Sequence, residues 1–518
     1  MPSPGGRPMK IAPAVLFAVV IALGSAGRAH AGSTSCDSLM MLTLENATIT
    51  RAEVVPAGGF KAPGGGGNAQ NTARFAQLPA FCRVAATLRP SADSDIKIEV
   101  WMPAAGWNGK FEAVGNGGWA GTIGYPAMAQ ALARGYATTS TDTGHSTPGG
   151  SFALGHREKL IDYAYRSEHE MTVKAKALVD AFYGSAPTRS YFNGCSTGGR
   201  QALTEATRYP EDFDGIIAGA AANPKTHLDT WRIWMGLETL KDPDTRIPKE
   251  KYPAIHRQVL AACDALDGLK DGLISDPRAC HFDPQVMACK AADDASCLTP
   301  KQVQSVRTIL GPFKSAGTGQ EIFGTYQPGT ELAWGLLIGG PDPYDTALDQ
   351  FRYMVFDDPN WDWRTFDVDR DLAKAEQKLQ GLLTAIDPKG LGAFFARGGK
   401  LLTYQGWSDQ DISPLASVNF YKSVQSTLGT SNASRSMTLF MVPGMGHCGG
   451  GEGPNTFDMM PSLEQWVEKG QAPARVEASH STSGTIDRTR PLCPYPQVAH
   501  YKESGSIDSA DSFVCQLP

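Results

Sequence analysis

The chain has 518 residues, of which 42% are hydrophobic and 19% charged, with a formal net charge of −6, a pI near 6.0 and no run of Lys or Arg. That balance argues against nucleic acid and anionic membranes as partners. Beyond the N-terminus no segment approaches the roughly 18 uninterrupted apolar residues of a membrane-spanning helix.

At the N-terminus, Arg7 and Lys10 precede an apolar run from Ile11 to Leu23, and Ala29-His30-Ala31 offers a small-x-small cleavage site. Residues 1–31 therefore read as an export signal, and the mature chain, secreted or periplasmic, begins near Gly32. An even count of ten cysteines suits an oxidising compartment. Nearest-neighbour pairing would join Cys36 to Cys82, Cys263 to Cys280, Cys289 to Cys297 and Cys493 to Cys515, leaving Cys195 and Cys448. Ten cysteines allow far too many connectivities for spacing to decide among them. No Cys-x-x-Cys occurs, which argues against a zinc ribbon or a thioredoxin-like site.

Ile96–Trp101 alternates as a half-buried strand, Phe111–Val114 follows after a Gly-Trp-Asn-Gly turn, and Gly115-Asn116-Gly117-Gly118 comes directly after that strand. Tyr136–Thr141 reads as a further strand and Glu168–Tyr183 as an amphipathic helix. Strand Ser190–Asn193, helix Thr197–Arg208 and strand Gly215–Ala218 continue the alternation. Such a rhythm implies an α/β fold with a largely parallel sheet covered on both faces.

After Ala222 the rhythm is lost for some 170 residues that carry four cysteines and five of the ten tryptophans. It returns with a strand from Gly399 to Tyr404 ending in Gly406, a helix from Pro414 to Val424, and strand Met437–Val442 leading to Gly446-His447-Cys448. The expected organisation is a sheet-and-helix core over 32–222 and 396–518, with a lid-like domain inserted at 223–395.

Gly194-Cys195-Ser196-Thr197-Gly198 lies between a strand and a helix, the context of the Gly-x-Ser-x-Gly elbow that presents a nucleophilic serine in α/β-hydrolases. A serine hydroxyl is a weak nucleophile until a histidine accepts its proton and a carboxylate fixes that histidine's tautomer. Six histidines follow Ser196: His227, His256, His281, His447, His480 and His500. Only His447 sits in a glycine-rich loop just after a core-like strand. For the acid, Asp409 lies nearer the end of the preceding strand, with Asp411 as the alternative. An oxyanion needs two N–H donors. Thr197 is one candidate, and Gly117 or Gly118 is the other.

Between Cys263 and Leu273, Asp264, Asp267 and Asp271 bring three carboxylates into a glycine-containing turn. Hard oxygens in a turning loop suit Ca²⁺, although the spacing is not that of an EF-hand and a solvated acidic turn has the same composition.

These motifs, together with Phe81-Cys82-Arg83-Val84, Trp107-Asn108-Gly109-Lys110-Phe111 and Arg208-Tyr209-Pro210-Glu211-Asp212-Phe213-Asp214-Gly215, resemble the tannase and feruloyl esterase family, which also contains mono(2-hydroxyethyl) terephthalate hydrolases. The resemblance runs from about Cys36 to the C-terminus. It implies an α/β-hydrolase fold with a large lid, a Ser196-Asp409-His447 triad and a Cys195–Cys448 disulfide within a five-bridge arrangement. It also implies a structural calcium in the lid, held by the Asp264, Asp267 and Asp271 side chains and the main-chain oxygens of Leu269 and Leu273, with no organic cofactor. The implied substrate is a small ester of an aromatic acid: a ferulate or related hydroxycinnamate, a gallate or a terephthalate half-ester. Trp334, Tyr353, Trp361 and Trp363 are the candidate contacts to its ring. The rival from another class is a non-catalytic exported binding protein that keeps the fold.

Overall fold

A computed structural model of the chain describes residues 1–3, 34–63, 69–385 and 387–518; the expected export signal lies outside the described residues. Nine strands form one sheet: β1 (Ala47–Val55), β2 (Phe81–Leu88), β3 (Ile96–Pro103), β4 (Lys110–Val114), β5 (Ala137–Thr141), β6 (Arg189–Cys195), β7 (Gly215–Gly219), β8 (Lys400–Gly406) and β9 (Met437–Val442). Their spatial order is β1-β2-β3-β5-β4-β6-β7-β8-β9. From β5 to β9 every neighbouring pair is parallel, whereas β1, β2, β3 and β5 pair antiparallel. The sheet is thus mixed rather than largely parallel: β3 runs antiparallel to β5, and two strands not evident in the rhythm, β1 and β2, extend that antiparallel edge.

Side-chain alternation sorts the strand residues onto two faces. Phe192, Ile216, Leu401 and Leu439 pack on one side against α2 (Ser167–Tyr183), α3 (Thr197–Arg208) and α5 (Pro414–Leu428). Their neighbours Tyr191, Ile217, Leu402 and Phe440 face α1 (Tyr125–Ala133) and α6 (Met460–Lys469) on the other. Both faces being covered, the central strands are buried along most of their length.

β3 reads as half-buried but is buried along almost its whole length. Glu99 makes this possible, since Arg83 on β2 holds its carboxylate through Nε at 2.9 Å and Nη2 at 2.5 Å, and Trp101 Nε1 donates to it at 2.8 Å. A buried carboxylate is tolerated only with such partners. Two hydroxyls of wholly buried β5 are satisfied in the same way, Thr139 Oγ1 donating to Glu99 O at 2.8 Å and Thr141 Oγ1 to Lys97 O at 3.0 Å.

Between β7 and β8 the described chain adds no strand to this sheet. It begins with α4 (Lys225–Thr239) and builds its own apolar cluster around Leu228, Trp231, Ile255, Val306, Phe351 and Leu379. Trp119, Phe152 and Tyr163, from the loops over the sheet, join that cluster. The segment therefore packs directly on the glycine-rich loop after β4. Among the described residues no helix is long and apolar enough to cross a membrane.

Candidate active site

Ser196 joins β6 to α3 at φ 65°, ψ −123°, a backbone conformation that a residue other than glycine adopts only under constraint. Its N–H donates to Gly219 O at 3.0 Å, and its carbonyl accepts from Arg200 N and Ala222 N at 3.1 and 3.0 Å, so the strained peptide is held on both sides. The flanking glycines answer to space: a Cβ on Gly194 would lie 2.5 Å from the Gly198 backbone. This close approach is what allows the chain to reverse and leave the serine at the end of β6.

The candidate base comes from the loop after β9. His447 Nδ1 lies 2.9 Å from Asp409 Oδ2, and this fixes Asp409 rather than Asp411 as the partner of Nδ1. Asp409 is fully buried. Its Oδ1 accepts from the N–H groups of Asp411 and Ile412 at 2.8 and 2.9 Å, and Oδ2 also accepts from Gln405 Nε2 at 2.7 Å. Gln405 on β8 in turn accepts from Ser417 on α5, and Gln410 Oε1 holds the His447 N–H at 3.1 Å. Burial favours the neutral ring, but the charge and hydrogen bond of Asp409, with Asp411 adding to them, outweigh it, and the His447 pKa is raised above its usual 6.5. The far nitrogen, Nε2, lies 3.5 Å from Asp411 Oδ2. Among the described residues no hydrogen bond joins Ser196 Oγ to the ring.

What ties the two halves is covalent. Cys195 and Cys448, the residues directly beside Ser196 and His447, form a disulfide with Cα atoms 6.0 Å apart across 253 residues of chain. The remaining bridges are Cys36–Cys82, Cys263–Cys280, Cys289–Cys297 and Cys493–Cys515.

The loop after β4 faces the elbow. Asn116 O accepts from Gly198 N at 2.8 Å, and Gly118 O accepts from Thr197 Oγ1 at 2.7 Å and Tyr163 Oη at 3.0 Å. The N–H groups of Gly117, Gly118 and Thr197 donate to no described residue. Gly118 has φ +54°, and a Cβ on either glycine would meet nothing within 4 Å. The unused N–H of Thr197, next to the serine, and those of the two open glycines are the kind of donors an oxyanion needs. Asn116 is anchored by its N–H to Gln201 Oε1 at 2.9 Å and by its side-chain amide to Thr141 O at 2.8 Å, while Gln201 also donates to buried Glu168. Asn116, Tyr163, Gln201, Glu168 and Gln405 are further supports of the site; of these only Asn116, inside the glycine-rich motif, carries a local sequence signal.

Among the four expected ring contacts, only half-buried Tyr353 keeps more than a marginal exposed surface. Trp334 is sealed and donates Nε1 to Thr330 Oγ1 at 2.9 Å, Trp361 stacks on Phe356 at 4.9 Å, and Trp363 donates Nε1 to Asp342 Oδ1 at 2.9 Å. These three indoles are packed within the segment between β7 and β8, where they build its core.

In the acidic turn, Asp264 accepts from the N–H groups of Asp271 and Gly272, Asp267 from Leu269 N–H and Ser275 Oγ, and Asp271 from Leu273 N–H. Gly268 and Gly272, at φ 86° and 80°, turn the loop. The carbonyl oxygens of Leu269 and Leu273 accept no hydrogen bond from a described residue. Two unused carbonyls among three carboxylates fit a hard cation. One carboxylate is shared, since Arg490 Nη2 lies 2.5 Å from Asp271 Oδ2. A second cluster of ligand types, Cys289, Asp293 and Cys297, is closed to metals by the Cys289–Cys297 bridge.

Comparison with known proteins agrees with this architecture. The model of the "Tannase and feruloyl esterase" family matches residues 82–516. An "Uncharacterized esterase" of Xanthomonas campestris pv. campestris is 37% identical over 97% of this chain and 94% of its own. A "Probable feruloyl esterase B-2" of Aspergillus terreus is 32% identical over 98% and 100%. The crystal structure of feruloyl esterase B from Aspergillus oryzae superposes with a TM-score of 0.86 at 32% identity, covering 93% of this chain and 99% of that one. Tannin acyl hydrolase from Aspergillus niger shares the fold, with a TM-score of 0.74 at 21% identity and 92% of each chain covered.

The disulfide beside the site has a measurable weight. Closing so long a loop disfavours the unfolded chain by about 5 kcal/mol in the chain-entropy model. A Cys195→Ala, Cys448→Ala double variant is therefore expected to unfold at lower denaturant than the parent by several kcal/mol; an unchanged midpoint and slope would show that the bridge does not stabilise the fold.

Proposed function

The chain belongs to the tannase and feruloyl esterase family of carboxylic-ester hydrolases, and from that premise we propose that it is an exported serine esterase acting on esters of aromatic acids through Ser196, His447 and Asp409. The observation that carries this reading is the 2.9 Å contact from His447 Nδ1 to buried Asp409, presented beside a strained serine by the Cys195–Cys448 bridge. A binding protein would have no use for a histidine aligned by a buried carboxylate next to three unused N–H groups.

In the proposed reaction Ser196 Oγ attacks the ester carbonyl while His447 Nε2 takes its proton. Asp409 accepts the Nδ1–H, which keeps the ring in the tautomer that leaves the Nε2 lone pair free to accept a proton, and it stabilises the imidazolium that forms. The N–H groups of Thr197 and of Gly117 or Gly118 receive the oxyanion in a site that needs no reorganisation. His447 then protonates the departing alcohol. Water, deprotonated by the same ring, attacks the acyl-serine, and the aromatic acid leaves. Residues 223–395 act as the lid over this site, with Tyr353 as the ring contact that its surface still allows. Five disulfides fit a protein that works outside the cytosol, in the periplasm or the medium.

The acidic turn of that lid is proposed to hold Ca²⁺ through the side chains of Asp264, Asp267 and Asp271 and the carbonyls of Leu269 and Leu273. Calcium there would supply charge to the fold and takes no part in the chemistry.

Two measurements test these statements. Assayed on methyl ferulate, methyl gallate, chlorogenate and a terephthalate half-ester, the protein should turn over at least one, and Ser196→Ala should abolish that turnover without changing the circular dichroism; an inert parent would favour the binding protein. For the turn, Ca²⁺ should raise Tm and a chelator lower it, a hundredfold excess over Kd contributing about 2.7 kcal/mol. Asp264→Asn should remove the response. A Tm indifferent to Ca²⁺ would leave a plain acidic loop.

A further inference from the structure

A line of alternating buried charges runs along α4 from the oxyanion loop to the base. Lys225 Nζ lies 4.1 Å from the centre of the Trp119 ring and 2.8 Å from Asp229 Oδ2. Asp229 Oδ1 is 2.8 Å from Arg232 Nη1. Arg232 Nη2 donates to Asp411 Oδ1 and, at 3.1 Å, to the Asp411 carbonyl. Asp411 Oδ2 ends the line 3.5 Å from His447 Nε2. Side-chain exposure along it is 2%, 0%, 3% and 10%. Residues 225, 229 and 232 share one helix face, so a single element of the inserted segment supplies both cations, and the two carboxylates leave no net charge.

Taking the triad reading as its premise, we propose that Arg232 and Asp411 are positioning residues for the base: Arg232 holds Asp411 by one oxygen, leaving a carboxylate beside Nε2 that favours the imidazolium without capturing its proton. The inserted segment thereby sets the pH range in which His447 works.

The competition is geometric. During the reaction Nε2 must take a proton from Ser196 and deliver it to the leaving alcohol. A free carboxylate beside Nε2 needs to move by less than about 1 Å to accept that proton itself, since an N–H···O⁻ bond closes at about 2.8 Å. The two Arg232 contacts oppose that movement. Unlike Asp409, which is locked by backbone N–H groups, Asp411 owes its side-chain position to a residue of another element.

The groups facing this centre act in known directions. Asp409 and Asp411 raise the His447 pKa and Arg232 lowers it, against burial that favours the neutral ring. Asp411 also faces the Tyr326 and Tyr344 phenols, both pushed up by burial and so neutral across the working range. Lys225 and Asp229 balance each other further along α4.

The test is the pH profile of kcat/KM for 4-nitrophenyl acetate, whose acid limb reports the base of the free enzyme. Asp411→Asn should move the acid midpoint down, and Arg232→Gln should move it up, each by about 0.5 to 1 pH unit. In the Asp411→Asn background the Arg232→Gln shift should shrink by at least half, as coupled sites require. Midpoints unmoved in folded variants would overturn the proposal and leave the network structural. If Arg232→Gln does not fold, Asp411→Asn alone decides, since Arg232 then keeps Asp229. Ser196→Ala, run in parallel, separates the two readings: loss of turnover there with unmoved midpoints sinks only the positioning role, whereas retained turnover sinks the triad.

Discussion

The disulfide between Cys195 and Cys448 is the constraint on which the site depends. Ser196, the proposed nucleophile, sits at the end of a strand in the middle of the sheet, and His447, the proposed base, in a glycine-rich loop that follows a strand at its edge, with the whole inserted segment between them in sequence. Such loops are where local opening is cheapest. A covalent bond between the immediate neighbours of Ser196 and His447 removes most of that freedom where a displacement of about 1 Å can cost roughly a hundredfold in rate. The cysteines beside both residues thus place a staple where packing alone is weakest.

Around that staple the structure divides its labour. The sheet and its flanking helices hold the serine, its base and the acid, through contacts such as the Gly194–Gly198 approach and the backbone N–H groups on Asp409. The inserted segment contributes chemically distinct parts: a second carboxylate's partner in Arg232, the packing against Trp119 and Tyr163 beside the glycine-rich loop, and the acidic turn. Tyr163 illustrates the join, since it belongs to the apolar cluster of that segment while its hydroxyl holds Gly118 O. Removing the segment would expose apolar surface around Trp119 and Tyr163, which hold the glycine-rich loop.

Much of this was legible before any coordinates. Strand-to-helix context around Ser196, the order of serine, acid and histidine, and the paired cysteines all lie in short stretches whose chemistry is local. Asp409 could be preferred to Asp411 because it stands nearer the strand end, though only the geometry shows that Asp411 belongs to the other ring nitrogen. The strand β2 escaped notice because Arg83 interrupts its apolar run, and the Glu99 carboxylate that makes this burial tolerable stands on β3, a contact that no short window of sequence contains. The tryptophans misled for a related reason: an indole in a lid-like segment has the same composition whether it faces a ligand or a core, and the packing of Trp334, Trp361 and Trp363 is long-range. Gln201 and Glu168, which support the oxyanion loop from helices, had no local signature at all.

Whether Ser196 forms a covalent acyl-enzyme is decided by treatment with a fluorophosphonate, followed by digestion and mass spectrometry. One equivalent of label should appear on Ser196, more slowly when His447 is replaced by Ala, with esterase activity lost in proportion to labelling. Label on another residue, or full labelling that leaves turnover intact, would rule out Ser196 as the nucleophile.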